Sequence, residues 1–140
     1  MTLNELKNNF ELKSGDGITI EEYSIISLTY PSYRVAVADD NFDDDEQNLM
    51  KSILGNFINE VYKDLSANEK DELSIGLLNS LIWAESNFHN EMVQSLKILC
   101  EKHSDLPNVI NDLINEMAEA SGGVSNEEKY VIKEIKSEMK

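Results

Sequence analysis

The chain has 140 residues, of which 41% are hydrophobic and 28% charged, a composition typical of one globular domain with its own core. Its 27 Asp and Glu residues outnumber 12 Lys and Arg residues, and the formal net charge of −15 disfavours direct binding to nucleic acids or anionic membranes. The single cysteine excludes an internal disulfide, no apolar run reaches the length of a membrane span, and the N-terminus lacks a signal-peptide core, so a soluble, cytoplasmic protein is predicted.

The first two predicted helices occupy the N-terminal part of the chain. Residues 1–17 are expected to form a short helix and a linker that contains Gly15 and Gly17. The next apolar stripe has helical spacing but runs through Pro31, so this helix is expected to kink or restart there. A strand over residues 33–38, YRVAVA, is the alternative for this stretch.

The longest helical pattern follows the acidic stretch and predicts a helix from about Asp45 to Asp64 at the centre of the fold. Its apolar residues recur at i, i+1, i+4, i+5, i+8 and i+9, which forms one wide stripe at helical period. The members of the stripe are Leu49, Met50, Ile53, Leu54, Phe57, Ile58, Val61 and Tyr62. An uninterrupted stripe of this kind is typical of an amphipathic helix that faces a core.

Three more stripes with the same spacing follow, in residues 92–100, 109–117 and 131–139. Pro107 is expected to begin one of these helices, and Gly122 and Gly123 are expected to end one. Residues 1–140 are therefore predicted to form a single-domain, all-α, compact bundle of about seven helices.

Five helix starts have the sequence of a capping box. In this arrangement a short polar side chain caps the helix, and a Glu three residues later bonds back to the cap residue. The pairs are Thr2/Glu5, Thr19/Glu22, Ser66/Glu69, Ser125/Glu128 and the Asp variant Asp43/Glu46. Each pair predicts the N-terminus of a helix.

Three short stretches, ADDNFDDDE, AESNFHNEM and ASGGVSNEE, are related to one another. Aligned without gaps, they share an Ala, a polar or Gly-rich turn and a hydrophobic residue four positions later. Each lies between an apolar-periodic segment and a new helix, which predicts an internal repeat of helix–turn–helix corners. The hydrophobic residue, Phe42, Phe88 or Val124, is expected to attach the new helix to the one before. The first, second and third corners are residues 38–46, 84–92 and 120–128.

The corner pattern, Ala-Asp-Gly-x-hydrophobic-x-x-x-Glu, resembles that of the tellurite-resistance TerB and TerB-like domains. The resemblance covers the chain from about Glu21 to Lys140, and it includes LIWAESNFHNEMVQSLKIL and AEASGGVSNEEKYVIKEI. It implies a compact, TerB-like helical bundle. It also implies that the acidic corners bind divalent cations.

The three corners match the TerB-like pattern unequally. In the first corner Asp39 and Glu46 match its two carboxylates, but Asp40 stands where the pattern has Gly, so the turn is expected to differ. In the second corner Met92 occupies the Glu position, and in the third Ser121 replaces the Asp. The second and third corners are therefore expected to be structural, without a metal.

Asp39, Asp43 and Glu46 are the predicted metal ligands. A corner lets carboxylates converge from a helix end, a turn and the next helix, and such a site suits a hard cation, Ca²⁺ in preference to Mg²⁺. An EF-hand is excluded, because Asp44 and Met50 occupy the positions of its glycine and its closing Glu. The alternative needs no metal: Asp43 caps the helix, and the other carboxylates favour its positive N-terminus and solubility.

Other candidate sites are expected to be structural. Cys100, His103 and His89 match no closed zinc pattern, so the cysteine is expected in the core and the histidines at the surface. The aromatic residues at helical spacing are expected to pack in the core, and they are Trp83, Phe57 and Phe88. No catalytic set of nucleophile, base and acid and no phosphate-binding glycine loop occurs, so the protein is predicted not to be an enzyme and to use no organic cofactor.

Two classes of function remain. The first is a TerB-like scaffold or sensor in a tellurite-type stress-response assembly, in which a bound cation fixes the first corner and alters a protein-binding face. The second is an acidic protein-interaction module, such as a phage-type nucleic-acid mimic that inhibits a basic host protein. Both classes predict a protein partner with a basic surface, and they differ in their dependence on cations and on salt.

Overall fold

The fold consists of seven helices in residues 1–120 and 123–140, which are the residues that this computed structural model describes. The helices are α1 (Leu3–Ser14), α2 (Ile20–Ala36), α3 (Asp44–Val61), α4 (Ala67–Asn87), α5 (His89–Lys102), α6 (Leu106–Glu119) and α7 (Asn126–Glu138). No strand occurs in the described residues, and none of their helices combines the length and apolar character needed to cross a membrane. The predicted all-α, single-domain bundle of about seven helices is confirmed.

All five predicted capping boxes are formed, at the N-termini of α1, α2, α3, α4 and α7. In α3 the Glu46 N–H donates to Asp43 Oδ1 at 2.8 Å, and the Asp43 N–H donates to Glu46 Oε1 at 3.2 Å. Each box therefore satisfies two backbone donors that a helix start leaves without an intrahelical partner.

The other two helices begin without a side-chain cap. Phe88 is both the C-cap of α4 and the N-cap of α5, so no loop separates these two helices. Pro107 lies in the first turn of α6, as predicted, where its missing N–H removes no helical hydrogen bond. α6 ends at Glu119, a few residues before Gly123. Gly122, the other glycine predicted to end a helix, lies outside the described residues.

α1 is joined to the rest of the bundle by an aromatic cluster around Phe10. Its ring makes edge-to-face contacts with Tyr23, Trp83 and Phe88, at centroid distances of 5.7, 5.1 and 5.4 Å. Phe88 is fully buried, as predicted, whereas Trp83 is half-buried at the edge of the cluster. After this helix, Gly15 adopts a left-handed conformation with φ of +79°, which ends α1.

α2 is the central helix, because it packs against all six other helices. Every residue from Ile25 to Ala36 except Leu28 is buried. The predicted centre, a helix from about Asp45 to Asp64, is wrong: this helix is α3, which ends at Val61 and is exposed along one side. A strong amphipathic stripe is typical of a helix with one solvent-exposed face. A helix that is buried on all sides has no polar face, so its apolar residues form no distinct stripe.

α2 continues through Pro31 as one helix. The predicted restart there and the alternative strand over residues 33–38 are both wrong. A proline within a helix costs about 3 kcal/mol or more, and the packing of α2 against its neighbours outweighs this cost. The hydroxyls of Ser27 and Thr29 each donate to the carbonyl four residues before, at 2.9 and 2.8 Å, so they are buried without losing a hydrogen bond.

Candidate functional site

The first corner turns sharply between α2 and α3. Asp40 has a φ of +60°, which is the left-handed region favoured by Gly, Asn and Asp. Asp40 thus adopts this conformation itself, at the position where the TerB-like pattern has Gly. Asp39 Oδ1 accepts a hydrogen bond from the Asn41 N–H at 3.1 Å, which closes the turn locally. Phe42 packs edge-on against Tyr33 at 5.7 Å, so it attaches α3 to α2 as predicted.

The start of α3 explains much of the charge in this corner. Asp43 caps the helix, as predicted, and Glu46 completes the capping box with a side chain that is only 1% exposed. Asp44 and Asp45 are exposed in the first turn, where the positive end of the helix dipole favours carboxylates. Phe42, the aromatic residue within this acidic stretch, attaches α3 to α2, and the carboxylates that follow it cap and stabilise the N-terminus of α3.

Asp39, Asp43 and Glu46 each use one carboxylate oxygen to accept a hydrogen bond from a backbone N–H. In residues 1–120 and 123–140, no three or more His, Cys, Asp or Glu side chains are grouped so that they could share one metal ion. The Asp43 and Glu46 bonds are those that the capping interpretation requires, and the Asp39 bond closes the turn. A Ca²⁺ or Mg²⁺ site at these three residues stays a prediction.

The second corner places its polar residues differently. Glu85 is exposed, and Met92, which occupies the Glu position of the pattern, is fully buried in the core. The neighbouring Glu91 forms an ion pair with Lys13 of α1, with Oε1 and Nζ 3.6 Å apart. Phe88 contacts Trp83 with ring centroids 6.0 Å apart, so it attaches α5 to α4 as predicted.

The third corner is described only in part, because Ser121 and Gly122 lie outside the described residues. Glu128 is 2% exposed and accepts a hydrogen bond from the Ser125 N–H at 3.2 Å. It therefore resembles Glu46, the other buried glutamate at the third position of a helix. Val124 is 38% exposed and is not part of the core that the described residues form, so its predicted packing role is not observed.

A polar pocket of about 440 Å³ lies between the first and second corners. Its polar lining comes from α2, the turn of the first corner, α4 and α5, and consists of Tyr30, Arg34, Asp40, Glu85 and His89. The Tyr30 hydroxyl lies 2.7 Å from His89 Nδ1, and burial raises the pKa of Tyr30 above its ordinary value of 10.0. Tyr30 is therefore a neutral hydrogen-bonding group at neutral pH.

Arg34 supplies the positive charge of this pocket, and two carboxylates of α7 form ion pairs with it. Its side chain is 9% exposed, with Nη1 2.5 Å from Glu138 Oε1 and Nη2 3.3 Å from Glu134 Oε1. The guanidinium also lies 6.0 Å from the centroid of the Tyr30 ring. Arg34 thus attaches α7 to α2, and the other charged groups of the pocket are carboxylates.

Among the described residues, Cys100, His103 and His89 belong to no group of three or more side chains that could hold one metal ion. Cys100 is buried, as predicted, and burial raises the pKa of its thiol. His103 is exposed beyond the end of α5, also as predicted. His89 is half-buried and bonded to Tyr30, so its predicted surface position is wrong.

The acidic character of the chain extends over much of its surface. The ion pairs formed by described residues join Lys7 to Glu11, Lys13 to Glu91, and Arg34 to two carboxylates of α7. These pairs leave the formal net charge of −15 unchanged and leave many carboxylates without a cation beside them. Exposed examples on α3, α4 and α6 are Asp44, Asp45, Glu60, Asp71, Glu72, Asp112 and Glu116.

Comparison with known proteins adds no assignment to this geometry. No protein-family model, no curated protein and no solved structure matches the chain. The TerB-like resemblance of the corners therefore stays a prediction.

Proposed function

We propose that this chain is a non-catalytic protein-binding module whose acidic surface engages a partner with a basic surface. The observation that carries the proposal is the net charge of −15, held on a folded bundle with exposed carboxylates on several helices. Such a surface attracts cationic proteins, speeds their association and repels nucleic-acid phosphates. A phage-type nucleic-acid mimic that inhibits a basic host protein is one form of this function.

A TerB-like, cation-dependent scaffold or sensor in a stress-response assembly is the second candidate. It is favoured by the left-handed conformation of Asp40, which occupies the glycine position of the TerB-like corner. In this candidate a Ca²⁺ or Mg²⁺ ion on Asp39, Asp43 and Glu46 would fix the corner and change the adjoining protein-binding face.

Co-purification tests the two candidates against each other. Tagged protein is isolated from cells in parallel with and without a chelator, and each captured partner is then titrated against increasing salt. A basic interaction module should retain its partner in chelator and lose it steeply as salt rises, because its contacts are charge pairs near the surface. A cation-dependent scaffold should lose its partner in chelator at constant salt.

Whether the captured partner binds DNA distinguishes a nucleic-acid mimic from a general acidic interaction module. If the captured protein binds DNA, this chain should compete with DNA for it, since both would occupy the same basic surface. Retention of only neutral or acidic proteins, with no effect of salt, would contradict the proposed function.

A further inference from the structure

Two helices, α3 and α6, carry the same four-position pattern. In each, an apolar residue is followed by a polar residue at i+3, a second apolar residue at i+4 and a Glu at i+7, and these positions lie on one face of a helix. The set on α3 is Ile53, Asn56, Phe57 and Glu60, and the set on α6 is Val109, Asp112, Leu113 and Glu116.

Between these helices lies a shallow groove, named here the α3–α6 groove. It is lined by Ile53, Asn56, Phe57, Glu60, Val109 and Leu113. Its volume of about 210 Å³ is below the roughly 300–1,000 Å³ typical of small-molecule sites. Val109 is 40% exposed, so an apolar floor faces solvent here. The size suits a few apolar side chains of a protein partner better than an organic ligand.

One carboxylate lines the α3–α6 groove, and two more lie on the same helical face as its α6 residues. Glu60 lines the groove from α3, and the exposed Asp112 and Glu116 share the face of α6 that carries Val109. None of these three carboxylates forms an ion pair within the described residues. An apolar groove with exposed carboxylates on both of its helices is complementary to an apolar stripe flanked by positive charges.

We propose, building on the proposed function, that the α3–α6 groove binds an amphipathic basic helix of the partner. Apolar side chains at i, i+3 or i+4, and i+7 of that helix enter the groove, and its flanking Lys and Arg residues contact Glu60, Asp112 and Glu116. A second copy of this chain would bring two molecules of net charge −15 together, so charge complementarity favours a basic partner.

A pair of synthetic peptides serves as the probe. One is a fluorescently labelled peptide of leucine and lysine with the leucines in a single helical stripe, and the other has the same composition in scrambled order. Both have the same charge, so only the striped peptide presents an apolar face to the groove. We expect the striped peptide to bind about tenfold more tightly, a difference of about 1.4 kcal/mol.

Val109→Glu separates groove binding from general attraction, because it adds negative charge while removing the apolar floor. The proposal predicts about a tenfold loss of affinity for the striped peptide. The matched control is Ile82→Glu on α4, where a 44% exposed apolar residue outside the groove receives the same charge. The control should bind as the unaltered protein does or slightly more tightly. If Val109→Glu does not fold by circular dichroism, Val109→Thr replaces it, with an expected loss of about threefold.

The outcomes separate this proposal from the function on which it rests. Equal binding of both peptides with a steep salt dependence, or tighter binding by Val109→Glu, would overturn the groove and leave the acidic module standing. Failure of both peptides to bind at low salt would overturn both. A dimer in analytical ultracentrifugation that Val109→Glu dissociates would show that the occupant is a second copy, which also overturns the proposal.

Discussion

Removing the two carboxylates that face Arg34 should destabilise the protein more than removing Arg34 itself. The Arg34 side chain is 9% exposed, whereas those of Glu138 and Glu134 are 22% and 42% exposed. Loss of both carboxylates leaves a buried cation without its counter-ions, and breaking a buried pair in this way costs about 3–5 kcal/mol. Loss of Arg34 leaves two carboxylates that water still reaches, so the cost is smaller.

The expected magnitudes follow from the choice of substitution. Glu134→Gln combined with Glu138→Gln keeps the side-chain shape and one acceptor oxygen at each position, which reduces the expected loss to about 2–3 kcal/mol. Arg34→Met retains an apolar stem of similar length, and its expected cost is about 1 kcal/mol. For a chain of this size the double change should lower Tm by roughly 6–10 °C.

Urea denaturation followed by circular dichroism measures both free energies of unfolding. The two Glu→Gln changes also reduce the net negative charge, so a matched control is Glu101→Gln with Glu119→Gln, two exposed positions without an ion pair among the described residues. The control should be as stable as the unaltered protein or slightly more stable. If the variant with Glu134→Gln and Glu138→Gln is as stable as this control, the two carboxylates of α7 do not stabilise the buried charge of Arg34, and the reasoning is refuted.

Three further outcomes are expected. Ile53→Asp should lower the free energy of unfolding by about 3 kcal/mol or more, because it buries an unpaired charge at a site 3% exposed; an unchanged melting temperature would disprove this placement. If the first corner binds Ca²⁺, the melting temperature should rise with the logarithm of its concentration, and Asp39→Asn should remove most of that rise while Asp16→Asn, which changes charge equally, should not. Equal losses in both variants would indicate diffuse screening. Burial raises the pKa of Tyr23 to about 12 from 10.0, so its contribution to stability is complete below pH 10 and is lost as pH rises from 10 to 12; Tyr23→Phe should flatten this loss in urea titrations across that range.

Helix starts were predictable because their signals are local. The capping box at Asp43 and Glu46 joins residues three positions apart, so its two hydrogen bonds do not depend on where the helix lies in the bundle. The position of a helix within the bundle is not local. The small polar residues Ser27, Thr29 and Ser32 interrupt the apolar pattern of α2 in the sequence. They are nevertheless buried, because α2 packs against the six other helices.

The candidate surfaces were predictable only in part, for the same reason. Arg34 and Glu138 are separated by 104 positions, and Tyr30 and His89 by 59, so no periodicity in the sequence indicates either pair. Val109 belongs to an apolar stripe that predicted core packing, but it is 40% exposed because α3 and α6 leave a groove beside it. A stripe shows which side of a helix is apolar, and only tertiary packing shows how much of that side is covered.

The central position of α2 also affects how the protein is made. Translation completes α2 at residue 36, but α6, one of the helices that cover it, begins only at residue 106. At roughly 5–20 residues per second, the side of α2 that α6 covers stays uncovered for several seconds after α2 is made. Stalled ribosomes that carry the first five helices should therefore display a protease-sensitive, chaperone-binding chain. The native bundle forms late in synthesis, since its innermost helix emerges before helices that enclose it.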